Sequence, residues 1–335
     1  MHVLVVGAGV VGTRLVTRLA ATSLCSSDAF DQITVADRLT ERAERLASRL
    51  GNTVQACSLQ ALLHKSLCNE VDVVVLALPP GSHTRLANRF LQANCLVLST
   101  SDALGDVRSL LTLESTATEH DALLVVGVGM APGLSDVLAS RAAIDLDCVT
   151  EVHVAKFGTG GPACARQHHR ALRSFAVEWN NGWQQRPGGS GRELCWFPSP
   201  VNAADCYRAA MGDPLILARR FPQATKISAR IAATRRDRFT SWLPMLRSPH
   251  PEGKLGAMRV DVRGKRNGAW SGRILGAAAP PATATVTVLL SVLHLVANQQ
   301  IQAKGAMSLS EVVKASDFLT LTEQYGLISE EFVGS

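Results

Sequence analysis

The chain has 335 residues, 47% of them hydrophobic and 19% charged, with a formal net charge of +6. That composition excludes a disordered or low-complexity chain and leaves room for two packed domains. No apolar run reaches membrane-spanning length: the longest candidate, Val286 to Ala297, is interrupted by Ser291 and His294. The N-terminus enters a strand at once, with no leader pattern. Eight cysteines without a CxxC or metal-ligand spacing read as free thiols in a reducing compartment, so the cytoplasm is expected. The charge is uneven: residues 1–150 sum to −4 and residues 151–335 to +10. The basic excess belongs to the second half.

The opening "HVLVVGAGVVGTRLVTRLA" is a mostly β-branched run that passes through Gly7, Gly9, Val11 and Gly12 into a helical pattern. In this GxGxxG setting Gly7 permits the tight turn, Gly9 the approach of a pyrophosphate, and Gly12 close packing of helix on strand. The helix N-terminus presents free N–H groups to the phosphates. The next strand, "QITVADR", ends in Asp37, placed to accept from ribose hydroxyls, followed by Arg38, which could stack on adenine or grip a 2′-phosphate. NAD or NADP is the expected cofactor, and the carboxylate favours NAD.

Strands and helices then alternate with the spacing of a parallel sheet. "VDVVVLALPP" ends at Leu78, Pro79 and Pro80. Ser82 is the expected N-cap of "SHTRLANRFLQAN", and "CLVLSTSD" carries Ser99 and Thr100 at its end. These strand ends and Gly129–Met130, beyond the sixth strand, are the expected cofactor contacts. The fold class expected is α/β: a doubly wound Rossmann sheet, then a mixed α/β domain.

The segment "VGVGMAPGLSDVLASRA" (126–142) resembles the saccharopine dehydrogenase-like family through its G-x-x-P-G-L-S-D-x-L-A pattern, as do "VDVVVLALPP" and "PPATATVTVLLSVLHLVA". The resemblance implies a Rossmann domain over 1–142, a substrate and dimerisation domain over 143–280, and C-terminal helices (281–335) packed back on the first domain. It places Gly129, Met130, Pro132 and Gly133 near the nicotinamide. It implies hydride transfer to or from a small acidic, amino-acid-derived substrate. A neighbouring family, the glucose-fructose oxidoreductase-like dehydrogenases, shares "ALPPGSH"-like loops but carries Glu-Lys-Pro where this chain has Ser99-Thr100-Ser101. A regulator that binds NAD(P) without turnover is the alternative from another class.

In the second half, "VTEVHVAKFG" reads as a strand bearing Lys156, a candidate base. Pro162 then opens a helix expected over 163–180. On that helix Arg166, His169, Arg170 and Arg173 share a stripe, while His168 falls among Ala165, Leu172, Phe175 and Trp179. The stripe reads as a wall for a carboxylate-bearing substrate, with Arg263 as a further contact and His169 as the proton donor or acceptor. His168 reads as a hydrogen-bonded core residue. No metal is expected, because neither histidine has an acid or Cys four residues on. With only 5% aromatic residues and no recognised motif, nucleic acid is not an expected partner. A small anionic substrate and a second copy of the chain are.

Overall fold

A computed structural model describes residues 1–25, 30–63, 70–245 and 248–332. In chain order the elements of the first half are β1 (His2–Val6), α1 (Val10–Cys25), β2 (Gln32–Asp37), α2 (Thr40–Leu50), β3 (Val54–Ser58), β4 (Val73–Leu76), α3 (His83–Leu91), β5 (Leu96–Ser99), α4 (Leu104–Leu111), α5 (Glu114–Glu119) and β6 (Leu123–Val126). All six strands pair in parallel in the order β3-β2-β1-β4-β5-β6. They are short apolar runs because helices cover both faces; every residue of β1, β4 and β6 is buried. The Rossmann expectation holds.

A seventh strand was not legible in the sequence. β15 (Gly305–Ser308), in the last tenth of the chain, pairs in parallel with β6 at the sheet edge. Its sequence, GAMS, lacks both β-branching and alternation, so neither propensity nor period announces it. It follows α10 (Pro281–Ala297), which packs against α1, and precedes α11 (Leu309–Val312) and α12 (Ala315–Gln324). The C-terminal segment thus returns to the first domain.

Between these passages runs the second layer: α6 (Leu134–Ala143), β7 (Cys148–Phe157), α7 (Pro162–Arg173), β8 (Ala176–Asn180), β9 (Trp183–Arg186), β10 (Glu193–Phe197), β11 (Asn202–Arg208), α8 (Asp213–Arg220), β12 (Lys226–Ala232), α9 (Arg235–Thr240), β13 (Ala257–Arg266) and β14 (Ala269–Ala278). The mixed sheet runs β10-β11-β12-β7-β13-β14-β16, where β16 is Glu330–Glu331. Central β7 pairs in parallel with β12 and antiparallel with β13. Helix α6 packs on β13 and β14 and is buried along almost its whole length, so it joins the two layers.

Two local expectations are corrected. Helix α7 stops at Arg173 rather than running to 180. Ser174 turns extended (φ −88°, ψ 158°), Phe175 is exposed, and Ala176 to Asn180 form β8. β8 buries Ala176, Val177 and Glu178 in succession while Phe175 is exposed, a pattern that a helical wheel misassigns. Ser82 precedes α3 without a side-chain cap.

Glycine at position 12 is required by contact. A Cβ there would lie 1.8 Å from the Gly7 carbonyl oxygen, where α1 crosses β1. Gly12→Ala is expected to cost about 1–3 kcal/mol, the usual range for overpacking a core. A thermal melt showing wild-type stability would contradict this packing.

Candidate functional site

The glycine loop is built as the fingerprint requires. Gly7 has φ +114°, and a Cβ there would meet the Ala77 carbonyl oxygen at 2.3 Å. A Cβ on Gly9 would meet nothing within 4 Å, so the loop leaves open space at the position where a pyrophosphate approaches. Asp37 closes the loop from below: the Ala8 N–H donates to its Oδ2 (2.8 Å) and the Leu39 N–H to its Oδ1 (2.9 Å). Arg38 is exposed beside it. Arg42, Arg45 and Arg49 of α2 line, with Ala8 and Thr13, a cleft of about 280 Å³ next to the loop. These residues fit a dinucleotide: an open glycine turn, a helix N-terminus and a carboxylate at the end of β2.

The loops after β4 and β5 are tied to each other. The buried ring of His83 bridges Ser99 Oγ (2.9 Å) and the Leu78 carbonyl (2.9 Å). Asp106 accepts from the Gly81 N–H and from Ser101 Oγ. Ser99 is therefore turned inward and fully buried, and the Thr100 hydroxyl donates to the Leu76 carbonyl. Leu78 lies against the Gly7 turn, Pro79 is exposed and Pro80 half-buried. Val11 is half-buried at the start of α1.

Beyond β6 the chain turns sharply. Gly129 donates to the Pro132 carbonyl (3.0 Å), Leu134 donates back to Gly129 (2.9 Å), and Gly133 sits at φ +126°. A Cβ on Gly133 would strike Gly127 and Gly129 backbone at about 2.4 Å, so only glycine fits. Met130 is buried in the turn, and the Ala131–Pro132 peptide is cis.

Against this turn the structure assembles four charged or ionisable side chains from three segments. Lys156, near the C-terminal end of β7 and 5% exposed, donates to Asp102 Oδ2 (3.0 Å) and to the Ala131 carbonyl (3.4 Å). His168 Nε2 lies 3.1 Å from the same Asp102 oxygen and 3.7 Å from Cys164 Sγ. Cys164 and His168 stand four residues apart on α7, one above the other. The N-terminus of that helix abuts the cofactor loop: a Cβ on Gly161 would meet Val10 Cγ2 at 2.8 Å. The cluster thus lies between the nucleotide loop, the glycine turn and the second sheet.

The charges are mutually set. Burial disfavours ionised Asp102, yet the Lys156 ammonium and His168 hold its carboxyl well below the usual range. Burial likewise works against charged Lys156, but Asp102 and Cys164 raise it and keep it an ammonium. His168 is pushed up to about 9: burial opposes this, but the Cys164 thiol and Asp102 beside it favour the imidazolium. Burial pushes the Cys164 thiol up, and His168 and Lys156 more than reverse that. Asp213, 1% exposed at the start of α8, accepts from Ser135 Oγ (2.7 Å) and is raised by burial to about 6.

Sequence-predicted residues divide accordingly. Lys156 is in the cluster. Arg166, Arg170 and Arg173 form the exposed face of α7, because the opposite face is the one buried against Asp102. His169 points away from the cluster and donates to the Leu243 carbonyl (2.8 Å). Arg263 pairs with Asp261 (2.9 Å) on β13, in register with Glu151, five residues or about 17 Å of strand from Lys156. Asp102, Cys164 and His168 were missed. The sequence signal for this cluster is Cys164 four residues before His168, on the same inward face of α7.

Residues 1–128 match a family described as an oxidoreductase family with an NAD-binding Rossmann fold. The matching family is the glucose-fructose oxidoreductase-like one, the neighbour of the saccharopine dehydrogenase-like family. No curated protein matches the chain. Among solved structures, the apo saccharopine dehydrogenase (L-Glu forming) of Saccharomyces cerevisiae is similar over 99% of this chain and 100% of its own, with a TM-score of 0.70 at 15% identity. The DAP dehydrogenase of C. glutamicum, in complex with DAP, covers 93% and 94% with a TM-score of 0.50 at 16% identity. At such identities the likeness is one of fold.

Two measurements check the geometry. Gly9→Val is expected to fold normally, since a Cβ there meets nothing within 4 Å among the described residues, and to lose NAD(P) binding by calorimetry. Undiminished binding would remove the nucleotide from this loop. NMR of the imidazoles should show His168 still protonated at neutral pH and titrating near 9; an ordinary midpoint near 6.5 would contradict the Asp102–His168–Cys164 arrangement. Residues 1–128 thus form a Rossmann fold and match the NAD-binding domain model of an oxidoreductase family.

Proposed function

We propose that the protein is an NAD(P)-dependent dehydrogenase or reductase whose substrate is a small, acidic, amino-acid-derived molecule. The observation that carries this reading is the buried Lys156–Asp102–His168 cluster, set between the glycine loop and the Gly129–Gly133 turn. Open α/β sheets bind their ligands beyond the C-terminal ends of the strands, and the cluster lies there. The bound nicotinamide supplies or accepts the hydride. Gly7, Gly9, Gly12 and Asp37 would hold the dinucleotide.

The chain's own residues divide the remaining work. His168, held as an imidazolium, is the proton donor when a C=O or C=N carbon is reduced and accepts that proton in the reverse direction. Asp102 orients the ring and balances its charge. Lys156 stays an ammonium, so it is no base; it offers a fixed positive charge to a developing oxyanion or to a substrate carboxylate. This takes over the carboxylate-recognition role expected of the arginine stripe.

The test is a panel of 2-oxo acids with and without amino acids, followed by NADH and NADPH oxidation. Turnover should appear with one member. Lys156→Met should lower kcat/KM by about a hundredfold or more while NAD(P)H still binds. The reduction rate should fall as pH rises through about 9, where the imidazolium is lost, and His168→Asn should abolish that limb. NAD(P)H binding without turnover on any member would favour the regulator instead.

A further inference from the structure

We propose that Cys164, His168 and Asp102 form a binding site for one thiophilic divalent cation of the zinc class. Their donor atoms (Sγ, Nε2 and a carboxylate oxygen) all lie within 4.8 Å of one another. Two of the three edges are Sγ···Nε2 3.7 Å and Nε2···Oδ2 3.1 Å. A tetrahedral zinc with Zn–S near ~2.3 Å and Zn–N and Zn–O near ~2.0 Å has corresponding edges of about 3.6 and about 3.3 Å. Two edges therefore stand close to ligating geometry, and the third, Sγ···O, lies within 4.8 Å.

The setting favours such an ion. Cys164 and His168, four apart on α7, converge on one side, and Asp102 arrives from the loop after β5 in the other domain. Three protein ligands leave the fourth position open, the pattern of an exchangeable rather than a structural site. The donors are enclosed but reachable: the Asp102 side chain is 18% exposed and that of His168 11%. Binding displaces the His168 Nε2 proton to solvent; with thiolate and carboxylate ionised the donor set then carries two negative charges, of which the Lys156 ammonium offsets one. Lys156 also fixes the Asp102 carboxylate, as second partners of metal-binding carboxylates do. One sulfur, one imidazole and one oxygen select zinc, cobalt or nickel over magnesium and calcium, which take all-oxygen sets.

The ion would occupy His168 Nε2, the atom assigned to proton transfer. Zinc and turnover are then mutually exclusive, so the cation is an inhibitor; this consequence, unlike the binding itself, rests on the function proposed above.

The experiment uses the full chain stripped with EDTA, titrated with zinc by calorimetry and with cobalt(II) by absorption. One equivalent is expected to bind, with a sulfur-to-cobalt charge-transfer band in the near ultraviolet. Cys164→Ser should remove the band and His168→Asn should weaken zinc at least tenfold, while Cys57→Ser changes neither. In wild-type protein, one equivalent of zinc should protect Cys164 from iodoacetamide, read by peptide mass mapping, which stands even where a variant fails to fold. Persistence of the band in Cys164→Ser, or alkylation of Cys164 at an unchanged rate with zinc, would overturn the site. NAD(P)H binding, measured alongside, reports on the nucleotide loop alone, so loss of one reading leaves the other intact.

Discussion

The contact on which the rest depends is the ion pair between Lys156 and Asp102. It joins a strand of the second sheet to a loop of the first, and it is nearly sealed from water. Removing two charges from solvent costs several kcal/mol per ion, and a single Coulomb contact seldom repays it. Here the charges have further partners: the Ala131 carbonyl for Lys156 and the His168 ring for Asp102. The Asp102 backbone is fixed as well, since its carbonyl accepts from the Gly212 N–H (3.1 Å) and Ala103 bridges to Met211. Deleting one member would strand the other charge, a loss of about 3–5 kcal/mol in buried pairs. A pair this costly, at the meeting of three chain segments, is better explained by chemistry than by stability.

The fold around it works to hold these segments in register. The glycine turn after β6 brings the Ala131 carbonyl under Lys156, and only a Cβ-free residue at 133 lets the turn close. Helix α6 then leaves the turn directly into the space between the sheets. Its Ser135 holds Asp213, and its Asp136 accepts from the Ser310 N–H of the returning C-terminal segment. Asp136 is raised by burial to about 7, with one carboxylate oxygen unpartnered among the described residues. The layers are thus linked by buried polar contacts that specify one arrangement, where apolar contact alone would tolerate several.

How much of this was legible follows from the range of each signal. The glycine fingerprint, the apolar strands and Asp37 are local patterns, and they were read directly. Strand β15 was not, because its pairing with β6 across almost two hundred residues, rather than its composition, makes it a strand. On α7 the sequence separates the two histidines by face, but does not show that the inward one, His168, meets Asp102 while His169 meets the Leu243 carbonyl. A helical wheel shows which face is apolar, not what another domain places against it. Asp102, Lys156 and the Cys164–His168 pair come from three separated segments, and only the pair is joined by a helical spacing.

The distribution of positive charge makes the same point. Residues 166–273 hold 17 arginines, which suggested a basic site. Many of them are consumed in the second sheet: Arg230 with Glu193, Arg259 and Arg263 with Asp261, Arg208 with Glu178, and Arg273 with Asp145 and Glu331. The stripe on α7 is left in water, where each charge is screened beyond about 8–10 Å. A buried lysine acts at lower effective dielectric, so its field on a neighbouring group exceeds that of several solvated arginines. Net charge summed over the second half therefore says little about the buried cluster, where the one lysine is itself paired with Asp102.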